Sequence, residues 1–103
     1  MLKICAVRII TFRTIKDFII IHPEAAAPII EWHTKVKEAV WENFQDVKKT
    51  FNTVDYVGNK HYVFNIGGNN YRLVAMIFFE VKQLYIRFIG THKEYNKIDS
   101  KNI

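Results

Sequence analysis

The stretch from Lys60 to Asn96, KHYVFNIGGNNYRLVAMIFFEVKQLYIRFIGTHKEYN, constrains this chain more than any other. It reads as three consecutive antiparallel strands. Lys60–Ile66 leads into Gly67-Gly68-Asn69-Asn70, a glycine/asparagine cluster that supplies positive φ angles. Tyr71–Glu80 is rich in β-branched and aromatic residues, and a three-residue connection, Val81-Lys82-Gln83, leads to Leu84–Thr91. With those turns, Asn65 falls opposite Arg72 and Arg72 opposite His92. One row across one end of the sheet then reads Asn65, Arg72, His92.

Side chains alternate across a strand, which separates two faces. Tyr62, Phe64, Ile66, Tyr71, Leu73, Ala75, Ile77, Phe79, Tyr85 and Ile89 form a face for helices to cover, with Arg87 as its main exception. The other face, from His61 and Val63 to Phe88 and His92, is apolar at its centre and cationic at the rim. Such a surface suits a polyanion.

Charge points the same way. Residues 1–59 carry eight Lys/Arg against seven Asp/Glu, whereas residues 60–103 carry seven against three. Of the net charge of +5, +4 therefore sits on the strand-rich half, as expected for a phosphate-bearing or acidic partner. One cysteine, Cys5, cannot form an internal disulfide, and its apolar neighbours suit a buried thiol in a reducing compartment. The apolar runs are too short to cross a bilayer and the N-terminus has no signal-peptide layout, so a cytoplasmic protein with no membrane partner is expected.

Ahead of the sheet, Leu2–Ile9 reads as a first strand. Thr11 or Thr14 caps a helix over about Arg13–Ile21, which His22-Pro23 stops. A second helix begins around Ala26 and runs to about Phe44, with Ile29, His33, Val36, Val40 and Phe44 as its apolar stripe and Trp32 and Trp41 on its flanks. Asp46 caps a short helical turn, Val47–Phe51, and Asn52–Asn59 is a loop. After His92, Lys93–Asp99 forms a closing helix, and Ser100–Ile103 is expected to fray. The pattern gives one domain over residues 1–103. Its fold class is α+β: an antiparallel sheet of a first strand plus three C-terminal strands, with two N-terminal helices packed on one face.

No metal site or cofactor is expected. His22, His33, His61 and His92 lack partners at ligand spacing, and Gly67-Gly68 lacks the lysine and helix of a phosphate loop. The chemistry left open is RNA cleavage by the substrate's own 2′-OH. Histidine suits its proton transfers, and arginine grips phosphate with a charged fork. Tyr95, one helical turn beyond His92, can orient the nucleophile, stack on a base or donate a proton. Two other readings stay open: a catalytically silent RNA- or ribosome-binding module, and an interaction protein whose basic face holds an acidic partner.

The segments FNIGGNNYRL and GTHKEY, with TIKDFIIIHPEAA and EWHTKVKEAVWENFQDVKKTF ahead of them, closely resemble the HigB-type toxins of the RelE-like superfamily. The resemblance spans about Arg13 to Asp99. It implies a compact microbial-RNase-type fold and the toxin half of a type II toxin–antitoxin module, an endoribonuclease cleaving messenger RNA on the ribosome. It further implies a HigA-type helix-turn-helix antitoxin as partner, with DNA engaged only through that antitoxin. Carried over by position, Arg72 binds the scissile phosphate, His92 is the acid or phosphate-stabilising group, and Tyr95 stands beside the site. Asn65 replaces a basic residue of some relatives, so Lys60 or His61 supplies positive charge nearby. Lys60, His61, Asn65, Asn69 and Lys93 form the expected RNA-binding set, and Asn96 stands where an aspartate is more usual.

Overall fold

The Gly67-Gly68 turn sets the ladder of the sheet. Both residues take left-handed φ angles, 60° and 68°, which glycine adopts without a Cβ penalty. The chain then doubles back so that β3 (His61–Ile66) pairs antiparallel with β4 (Tyr71–Phe78), with Asn65 opposite Arg72. The computed structural model describes residues 7–68 and 70–103. Asn69 and most of the expected first strand lie outside the described residues.

Among the described residues, five strands form one sheet in the order β1-β5-β4-β3-β2, with β1 at Arg8–Ile9, β2 at Asp55–Gly58 and β5 at Gln83–Thr91. The sheet is mixed rather than antiparallel, because β1 runs parallel to β5. The expected loop before β3 supplies a fifth strand: Asp55 and Tyr56 pair with Val63 and Tyr62 before a bulge near Gly58.

The β4–β5 pairing departs from the expected register in two opposing steps that leave a net shift. Phe78 pairs with Gln83, so the connection has four residues, closed by a hydrogen bond from Lys82 N to Phe79 O with Lys82 at φ 56°. A bulge between Val74 and Ala75 then inserts an extra residue, Arg87, on β5. As a result Arg72 pairs with Gly90, not His92. The bulge also changes which β5 residues face the helices. Leu84 and Ile86 are buried in the core, whereas Tyr85 and Arg87 line a depression with Met76 and Phe78 on the other side. Arg87 is therefore no exception to a buried face; it lies outside it.

Helix α1 (Phe12–Ile21) sinks Ile15 and Phe18. Thr11 does not cap it with its side chain; the hydroxyl bonds instead to the backbone of Ile86 and ties the helix to β5. A single 3-10 turn (Pro23–Ala25) leads to α2 (Ala26–Glu38), which buries Ile29, Trp32 and Val36. Helix α2 ends six residues short of Phe44. Ala39 turns extended, its carbonyl accepting from Val7 N, so that Trp41 enters the core while Val40 faces out. Both tryptophans are core residues. Helix α3 (Phe44–Thr50) is capped by the Asn43 side chain, which accepts from Asp46 N, and the Asp46 carboxylate accepts in return from Glu42 N. Asp46 thus sits inside the helix it was expected to precede.

The last helix, α4, covers only His92–Tyr95. The tail beyond it is pinned rather than frayed. Asn59 Nδ2 donates to Lys101 O, and Ile103 O meets both His61 Nε2, at 2.9 Å, and Arg87 Nε, at 3.2 Å. His61 is on β3 and Arg87 on β5, so the tail crosses β4 and covers the centre of the second face. Val63 and Val74 are buried there.

Candidate active site

At the open end of the sheet, β3, β4 and β5 deliver Asn65, Arg72 and Gly90 in one row. Gly90 is there because the space is taken: a Cβ would lie 2.6 Å from the Phe88 ring and 2.8 Å from Glu94 Oε1. The next residues turn into α4 through a capping box. Thr91 Oγ1 accepts from Glu94 N, and the Glu94 carboxylate accepts from Thr91 N at 2.8 Å. The T-x-x-E spacing of Thr91 and Glu94 announces this box in the sequence, and the sequence reading missed both residues.

Helix α4 places two of the expected residues. Tyr95, half-buried, brings its ring under Arg72, with the guanidinium carbon 5.7 Å from the ring centroid. Its hydroxyl donates to Ser100 Oγ at 3.3 Å, and the Phe88 ring lies 6.4 Å away. His92 is exposed at the first position of the helix. Its backbone N–H donates to Asn70 O, extending the ladder one step past the turn, and Nδ1 lies 3.4 Å from Asn96 Nδ2. Asn96, noted above only as a departure from aspartate, is therefore the residue beside the imidazole. Lys93 is exposed next to it.

The remaining expected residues do not join them. His61 is 1% exposed, with Nδ1 at 2.6 Å from Asn59 O and Nε2 held by the tail, so its ring is sealed away from a substrate. Lys60 is exposed at the opposite end of β3, roughly 16 Å from Asn65 at the rise of a strand. Neither supplies charge beside Asn65. Asn69 lies outside the described residues.

A polar cluster with an exposed carboxylate, Glu24, lies next to the row at Tyr71. The Tyr71 hydroxyl donates to Glu24 Oε2 at 2.8 Å, and His22 Nδ1 lies 3.3 Å from the same oxygen. Glu24 is held below its ordinary carboxylate value by its own backbone N–H, then by Tyr71 and His22, and Tyr71 is raised by this hydrogen bond and by burial. Among the described residues, no cluster of three or more His, Cys, Asp or Glu could hold a metal ion, and no helix is long and apolar enough to cross a membrane.

A mixed sheet backed by helices makes this an α+β domain, and its family match places it in the RelE-like class. Residues 25–98 match the HigB toxin family, described as the RelE-like toxic component of a toxin–antitoxin system, and the chain belongs to that family. It is 36% identical over 91 residues to the mRNA interferase toxin HigB of Escherichia coli strain K12, covering 85% of this chain and 86% of that protein. The mRNA interferase HigB of Shigella flexneri matches to the same extent. A second Escherichia coli protein of that name, from O6:H1 (strain CFT073), is 30% identical over 79 residues, covering 75% of this chain and 77% of its own.

Proposed function

We propose that this chain is an endoribonuclease toxin that cuts messenger RNA on the ribosome without a metal ion and so arrests translation. The observation that carries the reading is the Arg72–Tyr95 contact, which aims a guanidinium at the same open sheet end where α4 begins with His92. In the reaction the 2′-OH loses its proton to a base and its oxygen bonds to the adjacent phosphorus. The bond from phosphorus to the 5′ oxygen then breaks, leaving a 2′,3′-cyclic phosphate and a 5′-OH. Arg72 holds the phosphate and offsets the extra charge of the phosphorane. His92 protonates the departing oxygen or stabilises the charge, and Tyr95 keeps the guanidinium in place. Lys93 and Asn65 attract and orient the strand.

Among the described residues, the Glu94 carboxylate beside this row is spent accepting from Thr91 N, and no base is assigned. An enzyme so equipped gains from a partner that fixes the message in attack geometry, since orientation alone supplies several kcal/mol. The ribosome fills that role, and a HigA-type helix-turn-helix antitoxin is the neutralising partner, with DNA reached only through it, in the cytoplasm. The test compares cleavage of a messenger with and without programmed ribosomes for the parent, Arg72→Ala and His92→Gln. Ribosome-dependent cutting by the parent and loss in both variants is the expected result. Equal cutting of naked RNA rejects the ribosome, and full activity in both variants rejects the site.

A further inference from the structure

Beside the row, on the α2 side, lies a cleft that the phosphate chemistry does not use. The pairing of β2 with β3 stops at Val63, so the last residues of β3 meet the first half of α2 instead. Between them opens a cavity of about 230 Å³, lined among others by Glu31, Trp32, Lys35, Phe51 and Asn65. We infer that this cleft recognises one nucleobase of the RNA strand whose phosphate sits at Arg72. The inference rests on the nuclease reading above and adds to it the residues that set base preference.

Position is the first argument. Asn65 belongs to both places: it lines the cleft, and its backbone pairs with Arg72 across one strand spacing of about 4.8 Å. A base attached next to a phosphate at Arg72 is therefore within reach of the cleft.

Chemistry is the second. Glu31 and Lys35 sit one turn apart on α2 and cancel in charge, so the cleft is no second phosphate site. Between them and the Asn65 amide it offers acceptors and donors, the mixture found on a base edge. The half-buried Phe51 ring adds a π face, with Lys35 Nζ 6.0 Å from its centroid. The size suits one planar heterocycle, since sites for whole small molecules run from about 300 Å³ upward.

An orphan donor is the third. Trp32 is 3% exposed, and its Nε1 is the side-chain atom among the described residues that is buried without a hydrogen-bond partner. Buried donors are almost always satisfied. The N–H is closed off in the unbound protein, so a base acceptor meets it only if the cleft wall that Trp32 lines shifts on binding.

The direct experiment records amide and indole spectra of the isotope-labelled protein with AMP, GMP, CMP or UMP, and with ribose 5-phosphate as control. The expected result is that at least one nucleotide moves the Trp32 indole and Asn65 side-chain resonances while ribose 5-phosphate does not. Silence with all four, or equal shifts with the control, overturns the inference. A second experiment maps cut ends in cells expressing the parent, Glu31→Gln or Lys35→Ala. Base preference at one position beside the cut should change roughly fivefold or more, the lower end of a hydrogen-bonded base contact. An unchanged preference in variants that still cut overturns the subsite and leaves the nuclease intact. Nucleotide binding by a chain that cuts nothing does the reverse.

Discussion

The Tyr95 ring lies under the Arg72 guanidinium at 5.7 Å, and these two residues join the end of β4 to a helix of four residues. A helix that short is too small to be stable by itself. Its place is set by the Thr91–Glu94 box at one end and by ring contacts at the other. Whatever moves α4 therefore moves the support of Arg72 and the anchor of His92 together.

Two substitutions separate the ring from the hydroxyl. Tyr95→Phe keeps the surface beneath Arg72 and loses only the bond to Ser100, so cleavage should stay within a few-fold of the parent. Tyr95→Ala removes the support. Arg72→Lys keeps the charge but not the planar fork, and should lose on the order of 10²–10³ in rate, as removal of a transition-state donor does. Ribosome-programmed cleavage assays rank the three. A Tyr95→Phe variant as slow as Tyr95→Ala would assign the work to the hydroxyl instead.

Gly90→Ala should damage activity more than stability. Its φ is unexceptional, so the difficulty is space: the new methyl meets the Phe88 ring and the Glu94 carboxylate at once. One of them must give, and giving either disturbs the cap or the ring beside Tyr95. Overpacking of this kind costs about 1–3 kcal/mol. The measurement pairs thermal unfolding with cleavage by the folded fraction. Parental cleavage per folded molecule would show that α4 does not need this fit.

The first hairpin was legible in the sequence because its turn is written in glycines, and Asn65 opposite Arg72 follows from them. The second was not. A four-residue turn held by a lysine at positive φ, followed by a bulge at Arg87, leaves no Gly, Pro or Asn to mark either step. The misplaced Arg87 was the visible symptom, a charge on an otherwise apolar face. Nor does any residue type announce the end of α2 at Glu38, since Ala39 and Val40 continue the helical pattern; the contact of Ala39 with Val7 decides it. His61 looked like a surface cation because the tail that buries it is 42 residues away in sequence.

Acidification should weaken the fold in two stages. Burial, then the nearby Lys37 charge, lowers His33 below its ordinary 6.5, so the folded state resists protonation. Its stabilising share is present above 6.5 and fades as pH falls toward the lowered value. Glu24 is likewise lowered from 4.5, so its share is present above 4.5 and fades below that. Tyr71→Phe deletes one of the hydrogen bonds that hold Glu24 down and should flatten only the second stage. Urea midpoints taken between pH 7 and 3 check this; parallel curves for parent and variant would sever Glu24 from the acid limb.

His61→Ala tests whether the second face is a closed wall or part of the RNA surface. The ring is buried, and its two nitrogens face backbone oxygens, Asn59 O in the turn before β3 and Ile103 O in the tail, of which a neutral ring donates to one. Removing it takes a partner from Asn59 O, leaves Ile103 O to Arg87 Nε alone, and opens space above Val63 and Val74. Groups buried without a partner cost about 1–3 kcal/mol, and the cavity adds to that. The denaturant midpoint should fall, and amides of Lys101 to Ile103 should exchange faster as the tail lifts. Cleavage per folded molecule should hold, because the ring touches neither Arg72 nor α4. Salt separates the alternatives: an RNA-contacting histidine would change the slope of binding against salt concentration, whereas a buried clasp leaves that slope where it was. A changed slope with an unchanged midpoint would return His61 to the RNA surface.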